Sequence, residues 1–287
     1  MLRLLTCLLP LLMALPASAQ SDPAAFRLFT PTGKKTKYKK LLRDARAADV
    51  ILFGEQHNNP IAHWLQHRLA RDLATTNGLT LGLEMLETDQ QTALNAYLAG
   101  EAKVEAIDDA GEGLWSNWRT DYAPLVGWAK NQGHPVVATN VPRPYARKVF
   151  SDGFEVLADL PIEEKALLPP YPVPYDAQLP GYVRMLEMMP GGHGGENFPK
   201  AQAIKDATMA YFIAQNHRAG VPFLHLNGSY HSDDYEGIGW YLKQYAPQLK
   251  VLTISTGEQD DLASLGEELK GKADYIIVTP TLMTKTY

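Results

Sequence analysis

Val50-Ile51-Leu52-Phe53-Gly54-Glu55-Gln56-His57 sets four apolar residues before a glycine and then three polar groups. This is the pattern of a short buried strand that stops at a turn and delivers chemistry just past its end. The same form recurs outward along the chain at Leu79 to Leu83, Pro135 to Thr139, Pro222 to Leu226, Val251 to Ile254 and Tyr275 to Val278. Helical spacing fills the intervals: Ile61, Trp64, Leu65, Leu69 and Leu73 fall near one face of a helix over Ile61 to Leu73, and Ile204, Ala207, Tyr211 and Phe212 do the same within Ala201 to Ile213. Strands alternating with helices predict an α/β protein with a mainly parallel sheet covered by helices. No internal repeat and no Gly/Ser linker divides the chain, so one domain over residues 48–287 is expected.

Composition narrows the function. Hydrophobic residues at 45% and charged residues at 21% suit a packed globular core and exclude collagen-like or wholly disordered chains. A net charge of −5 lacks the basic excess of a nucleic-acid binder, so no nucleic-acid partner is expected. Arg3, the apolar run Leu4 to Leu15 and the small-x-small site Ala17-Ser18-Ala19 read as a cleavable signal peptide over residues 1–19, which predicts export to the periplasm. Cys7, the single cysteine, lies inside that leader, which leaves the mature chain without disulfides. Most of the apolar run follows it, the wrong order for a lipoprotein signal, so a lipid anchor is not expected. Residues 20–47 form an entry segment in which Lys34, Lys35, Lys37, Lys39 and Lys40 surround Tyr38; they read as a solvated basic stretch rather than an anionic-surface patch, since one short basic run is a weak signal.

One segment breaks the alternation. Leu167 to Pro199 holds seven prolines, three tyrosines, three methionines and Gly191-Gly192-His193-Gly194-Gly195. That many prolines cannot sit in a sheet interior, so an excursion from the core is expected, either a surface loop or a lid over a ligand.

In an open parallel sheet, ligands bind beyond the carboxyl ends of the strands. Those ends carry Gly54-Glu55-Gln56-His57, Gly82-Leu83-Glu84, Thr139-Asn140 and Gly228-Ser229-Tyr230-His231. Two imidazoles and two carboxylates on one edge could hold a divalent metal that activates water, or could pair as a general base and its orienting acid. Taken singly, each glycine reads as a turn residue and each histidine as a structural hydrogen-bonding group. His63 and His67 lie four apart on a helix but lack the glutamate of a zinc-protease motif, and His134, His217 and His225 have structural readings. Fingerprints of dinucleotide, nucleotide-triphosphate and serine-hydrolase sites are absent.

Ala48 to Asn59, Leu81-Gly82-Leu83-Glu84-Met85-Leu86, Ala201-Gln202 with Asp206-Ala207-Thr208-Met209-Ala210, and Gly228-Ser229-Tyr230-His231 resemble the ChaN family of iron-regulated haem-binding proteins. That family sits in a wider group with the Tiki metalloproteases and erythromycin esterase-like enzymes. The resemblance implies a three-layer α/β/α fold, haem as cofactor, and a tyrosine ligand assisted by histidine. Among these residues the expected haem-binding set is Tyr182, His193, His57 and His231, with Tyr171 and Tyr175 as substitutes for the tyrosine. The reading as a haem-uptake or haem-handling protein carries two expected partners, an outer-membrane haem receptor and a second copy of the chain that covers exposed porphyrin surface. The competing expectation from the same group is a metal-dependent hydrolase using Glu55, His57, Glu84 and His231.

Overall fold

The computed structural model describes residues 23–188 and 195–287, so residues 1–19, expected to be a leader, with Cys7 among them, and His193 lie outside the described residues. Seven strands, β1 (Arg27–Phe29), β2 (Val50–Glu55), β3 (Thr80–Glu87), β4 (Val136–Asn140), β5 (Phe223–Gly228), β6 (Val251–Gln259) and β7 (Tyr275–Pro280), form one sheet in the order β1-β7-β6-β2-β5-β3-β4. All neighbours are parallel except β1, which runs antiparallel to β7.

Alternation along β2 explains the layering. Ile51 and Phe53 enter a core with Leu81, Leu83, Leu224 and Leu226, whereas Val50 and Leu52 point into a second core with Val137 and Phe223. The first core is closed by helices α1 (Tyr38–Ala45), α2 (Pro60–Asn77), α3 (Gln91–Ala99) and α4 (Ala123–Gln132). The second is closed by α5 (Arg143–Asp152), α6 (Pro180–Glu187), α7 (Asn197–Asn216) and α8 (Ile238–Tyr245). Both faces of β2 are buried, which is why its sequence is a continuous apolar run rather than an alternating one. The result is a three-layer α/β/α fold in a single domain.

The helix after β2 starts where local chemistry requires. Asn59 caps α2 by accepting from the Ile61 and Ala62 amides at 3.1 Å each, and Pro60 fills the first turn with a preset φ and no amide to satisfy. The predicted helix over Ile61 to Leu73 is found within this element, and that over Ala201 to Ile213 within α7.

Two expectations are corrected. The entry segment is more than a solvated stretch: Leu28 and Phe29 in β1 are buried, as are Leu41 and Ala45 in α1, although the lysines themselves are exposed. A three-residue edge strand is too short to leave a periodic signal. The Pro-rich excursion is anchored, because Leu168, Val173, Tyr182 and Met185 are buried in the second core and α6 lies within it.

Candidate functional site

The parallel register of β2 and β5 sets Gly54 beside Asn227 and Glu55 beside Gly228, so both Gly-x-x-His turns open on the same sheet edge. The end of β3 lies on the other side of β5 and brings Glu84, whose Oε2 accepts from the Gly228 amide at 2.6 Å. The four residues at these strand ends meet, and a fifth completes them. His57 Nδ1 stands 2.9 Å from Glu55 Oε1, and His57 Nε2 stands 4.0 Å from Glu84 Oε1. The same Glu84 oxygen is 3.2 Å from His231 Nε2, and His231 Nδ1 is 2.6 Å from Asp206 Oδ1 on α7. Carboxylate and imidazole thus alternate in an unbroken row from Glu55 to Asp206.

The two glycines serve close approach rather than turn conformation. Gly228 has φ −57°, accessible to any residue. A Cβ there would lie 2.8 Å from His57 Nε2. At Gly54 a Cβ would lie 2.9 Å from both the Ser229 Cα and the Ile254 carbonyl oxygen, so the backbones of neighbouring strands themselves exclude a side chain.

Charge is shared unevenly along the row. Burial pushes the Glu55 carboxyl up, but hydrogen bonds and charge from His57 and His63 outweigh it and hold it below the usual range. The Tyr122 hydroxyl donates to Glu55 Oε1 at 2.5 Å and the Gln66 amide donates to Oε2, which saturates this carboxylate. Burial pulls both site histidines down, and nearby carboxylates reverse the shift. His57 is raised by Glu55 and Glu84, and His231 is raised to about 10 by Glu84 and Asp206. Glu84, opposed by burial, is driven well below the usual range by His231 and His57. Asp206 stays raised because desolvation of its enclosed carboxyl is only partly offset by His231. At neutral pH the row therefore holds an imidazolium at His231 clasped by the Glu84 carboxylate.

Only His57 opens to the outside. Its side chain is 31% exposed against 8% for His231, and it meets Trp115 edge-on with ring centroids 4.8 Å apart. Its carbonyl accepts from the Asn117 amide at 2.9 Å and lies 3.1 Å from His63 Nε2, which fixes the turn that carries it. Among the described residues no group of three or more His, Cys, Asp or Glu is arranged to hold a metal ion; Glu55, Glu84, His231 and Asp206 are engaged by hydrogen-bonding partners, while His57 Nε2 lies 4.0 Å from Glu84, beyond hydrogen-bond distance.

Beside the row opens a cleft of about 410 Å³ at the ends of β3 and β4. Trp115, Phe150 and Phe198 supply aromatic surface, Glu84 and Gln202 connect it to the imidazole row, and Arg143, Arg147 and Lys205 supply positive charge. Arg143 pairs with Glu87 at 2.9 Å and Arg147 pairs with Glu112. Lys205 has no carboxylate within ion-pair distance among the described residues.

The other expected residues lie elsewhere. Tyr182 is 4% exposed, stacks on Tyr175 in the second core and does not line the cleft; its hydroxyl is enclosed without a hydrogen-bond partner. Burial pushes that phenol far up, against the phenolate that would bind iron. Tyr171 is exposed, and His193 lies outside the described residues. His63 is buried against Glu55 and Asp121 at 3.4 Å each, and His225 is buried and pulled down to about 4 by desolvation, so neither faces the cleft. Reasoning from the sequence missed Asp206, Trp115 and the three cations. Asp206 alone left a sign, a carboxylate between Ile204 and Ala207 on a helix face otherwise apolar.

A family model described as haem-binding uptake, Tiki superfamily, ChaN matches residues 41–242, and this span contains β2, β3, β5 and the whole imidazole row. The chain belongs to the ChaN family. A solved structure of Campylobacter jejuni ChaN, described as binding haem cofacially, superposes with a TM-score of 0.64 at 20% identity over 88% of this chain and 96% of that one. A Bacillus cereus protein superposes with a TM-score of 0.50 at 13% identity, over 88% of this chain and 93% of that one. The erythromycin esterase EreC superposes at 0.46 with 14% identity over 89% and 83% of the two chains. No curated protein sequence matches. At 20% identity the superposition on Campylobacter jejuni ChaN establishes the fold alone, and the family rests on the matched sequence model.

Proposed function

We propose that this ChaN-family chain is an exported haem-binding protein that takes part in haem uptake, with the cleft between α5 and the start of α7 as its haem site. The carrying observation is the combination on one cleft wall set of Trp115, Phe150 and Phe198 with Arg143, Arg147 and Lys205. A planar porphyrin with two carboxylates calls for aromatic walls and cations together. Lys205, free of a carboxylate partner among the described residues, is assigned to a propionate. His57 stands outside the lining of the cleft but against its Trp115 wall, and is the nitrogen donor assigned to the iron: Glu55 orients the ring through Nδ1, and Nε2 is the atom left for a ligand. Bound haem supplies the redox-active, ligand-exchanging iron; the chain supplies orientation and charge balance.

A cleft of about 410 Å³ leaves part of a porphyrin face uncovered, which supports a haem-linked homodimer. Handover to an outer-membrane receptor and a periplasmic location complete the reading, both supported by the leader-like residues 1–19 and the family's role in uptake. The metal-hydrolase alternative needs open donors, whereas Glu55 is held by Tyr122 and His57, Glu84 by the Gly228 amide and His231, and His231 by Glu84 and Asp206.

Hemin titration followed by absorption spectroscopy tests the proposal. A saturable shift of the Soret band is expected, changed in position by His57→Ala and weakened by Lys205→Ala with the band position kept. Tyr182→Phe is expected to leave both unchanged, and His193→Ala asks whether the residue outside the described set adds a ligand. An unshifted hemin spectrum at all concentrations would sink the proposal.

A further inference from the structure

At the other end of the sheet the chain gathers positive charge. Residues 34–46 hold seven cations and one carboxylate, a local charge of +6, so the remaining chain carries −11 within the total of −5. Lys34, Lys35, Lys37, Lys39, Lys40, Arg43 and Arg46 all line one open groove of about 810 Å³. Thr30 and Lys40 of this groove also border Val251 and Tyr275, the first residues of β6 and β7, so it lies at the amino ends of the parallel strands, opposite the haem cleft.

The charges are held in place by the fold. The Thr30 amide donates to the Lys34 carbonyl at 2.8 Å, and the Thr36 amide to the Leu28 carbonyl at 2.8 Å. These bonds, with Gly33 at φ +79°, tie the lysine-bearing turn to β1. Lys40 and Arg43 are paired with Asp44, and the Arg46 guanidinium donates to the Asp72 carbonyl. Lys34, Lys35, Lys37 and Lys39 have no ion-pair partner among the described residues, and all four are exposed.

We infer that this edge docks the protein on an anionic membrane surface through lipid phosphate groups. Lysine heads act as point charges on flexible stems and suit a fluid array of phosphates, where fixed bidentate geometry has no role. The apolar side of α1 is spent on the core through Leu41 and Ala45, so attachment is electrostatic and does not require insertion. A polynucleotide fits less well. Tyr38 is occupied by Asp72 at 2.8 Å and by Arg68 over its ring, which leaves no free aromatic in the groove to stack a base. An extended polyanion would also meet the net negative charge of the remaining chain, whereas a flat bilayer meets the edge alone. Docked this way, the haem cleft faces away from the lipid.

The test is cosedimentation of the full chain with phosphatidylglycerol–phosphatidylcholine vesicles, against vesicles of phosphatidylcholine alone. Binding is expected only on the anionic vesicles and is expected to be lost at about 0.5 M salt, where screening shortens to a few ångströms. Replacing Lys34, Lys35, Lys37 and Lys39 by Gln is expected to lower partitioning by at least about a hundredfold, given roughly fivefold per surface lysine. Hemin titration of that variant is expected to stay unchanged. The doubles Lys35→Gln/Lys37→Gln and, as a control for charge alone, Lys103→Gln/Lys243→Gln keep the test valid if the fourfold variant does not fold. Equal binding to neutral vesicles, equal loss in the control, retention at high salt, or displacement from the vesicles by a short DNA duplex would each overturn the inference.

Discussion

Glu84 Oε1 lies 3.2 Å from His231 Nε2, a buried carboxylate bound to a buried imidazolium across two adjacent strand ends. Asp206 closes the other face of the same ring at 2.6 Å, so two enclosed acids depend on one base. His231→Ala would leave both acids buried without their cation. The expected loss is about 3–5 kcal/mol of stability, read as a fall in the urea midpoint; a loss within error of the wild type would show the row to be energetically idle.

The same pairing sets a pH window. His231 is raised from an ordinary histidine value to about 10, so its contribution is complete below the unfolded value of roughly 6.5 and disappears as pH rises toward 10. Glu84 is lowered, so its contribution is complete above roughly 4.3 and fades as pH falls through its depressed folded value. Thermal melts are expected to be highest between about pH 4.5 and 6.5 and to decline into the alkaline range. His231→Gln should flatten the alkaline decline; an unchanged slope in that variant would place its cause elsewhere.

Gly54 and Gly228 predict opposite phenotypes. An alanine methyl at 228 meets the far end of the His57 ring, which can swing aside, at 2.8 Å. Gly228→Ala should fold with a cost of roughly 1–3 kcal/mol and shift the haem spectrum because His57 moves. At Gly54 the obstacles are backbone atoms, the Ile254 carbonyl of β6 and the Ser229 Cα just past the end of β5, which cannot swing aside. Gly54→Ala is expected to lower the melting temperature further than Gly228→Ala. The reverse order would contradict the packing described.

Haem is expected to double the mass of the particle in light scattering at one haem per chain. Phe198→Glu, which puts a charge on the aromatic wall of the cleft, is expected to leave the apoprotein monomer folded and to prevent that change. A monomer at full haem occupancy would remove the dimer from the proposal.

Much of this was legible before any coordinates. The six apolar runs are strands of a sheet buried on both faces, and in β2 helices cover both sides, which makes the run Val50 to Phe53 continuous and easy to find. Glu55, His57, Glu84 and His231 were found because strand ends are where a parallel sheet exposes its chemistry. Asp206 escaped because its helix reads as apolar, and Lys205 because a single lysine carries no pattern. The burial of Tyr182 was not legible: a tyrosine among prolines suggested an exposed side chain, yet the segment returns to the core, where the phenol is enclosed. Trp115, Phe150 and Phe198 come from three segments whose meeting is a property of the closed fold.

The sheet order has a further consequence for timing. His57 and His231 lie on adjacent strands, β2 and β5, yet β3 and β4 come between those strands along the chain. A chain emerging from the ribosome or an export channel carries His57 and Glu84 long before it carries Asp206 and His231. The row cannot close until β5 has slid into the gap between β2 and β3. Completion of the row is therefore tied to completion of the polypeptide, and a fragment ending before Phe223 is born without His231, the base on which Glu84 and Asp206 depend.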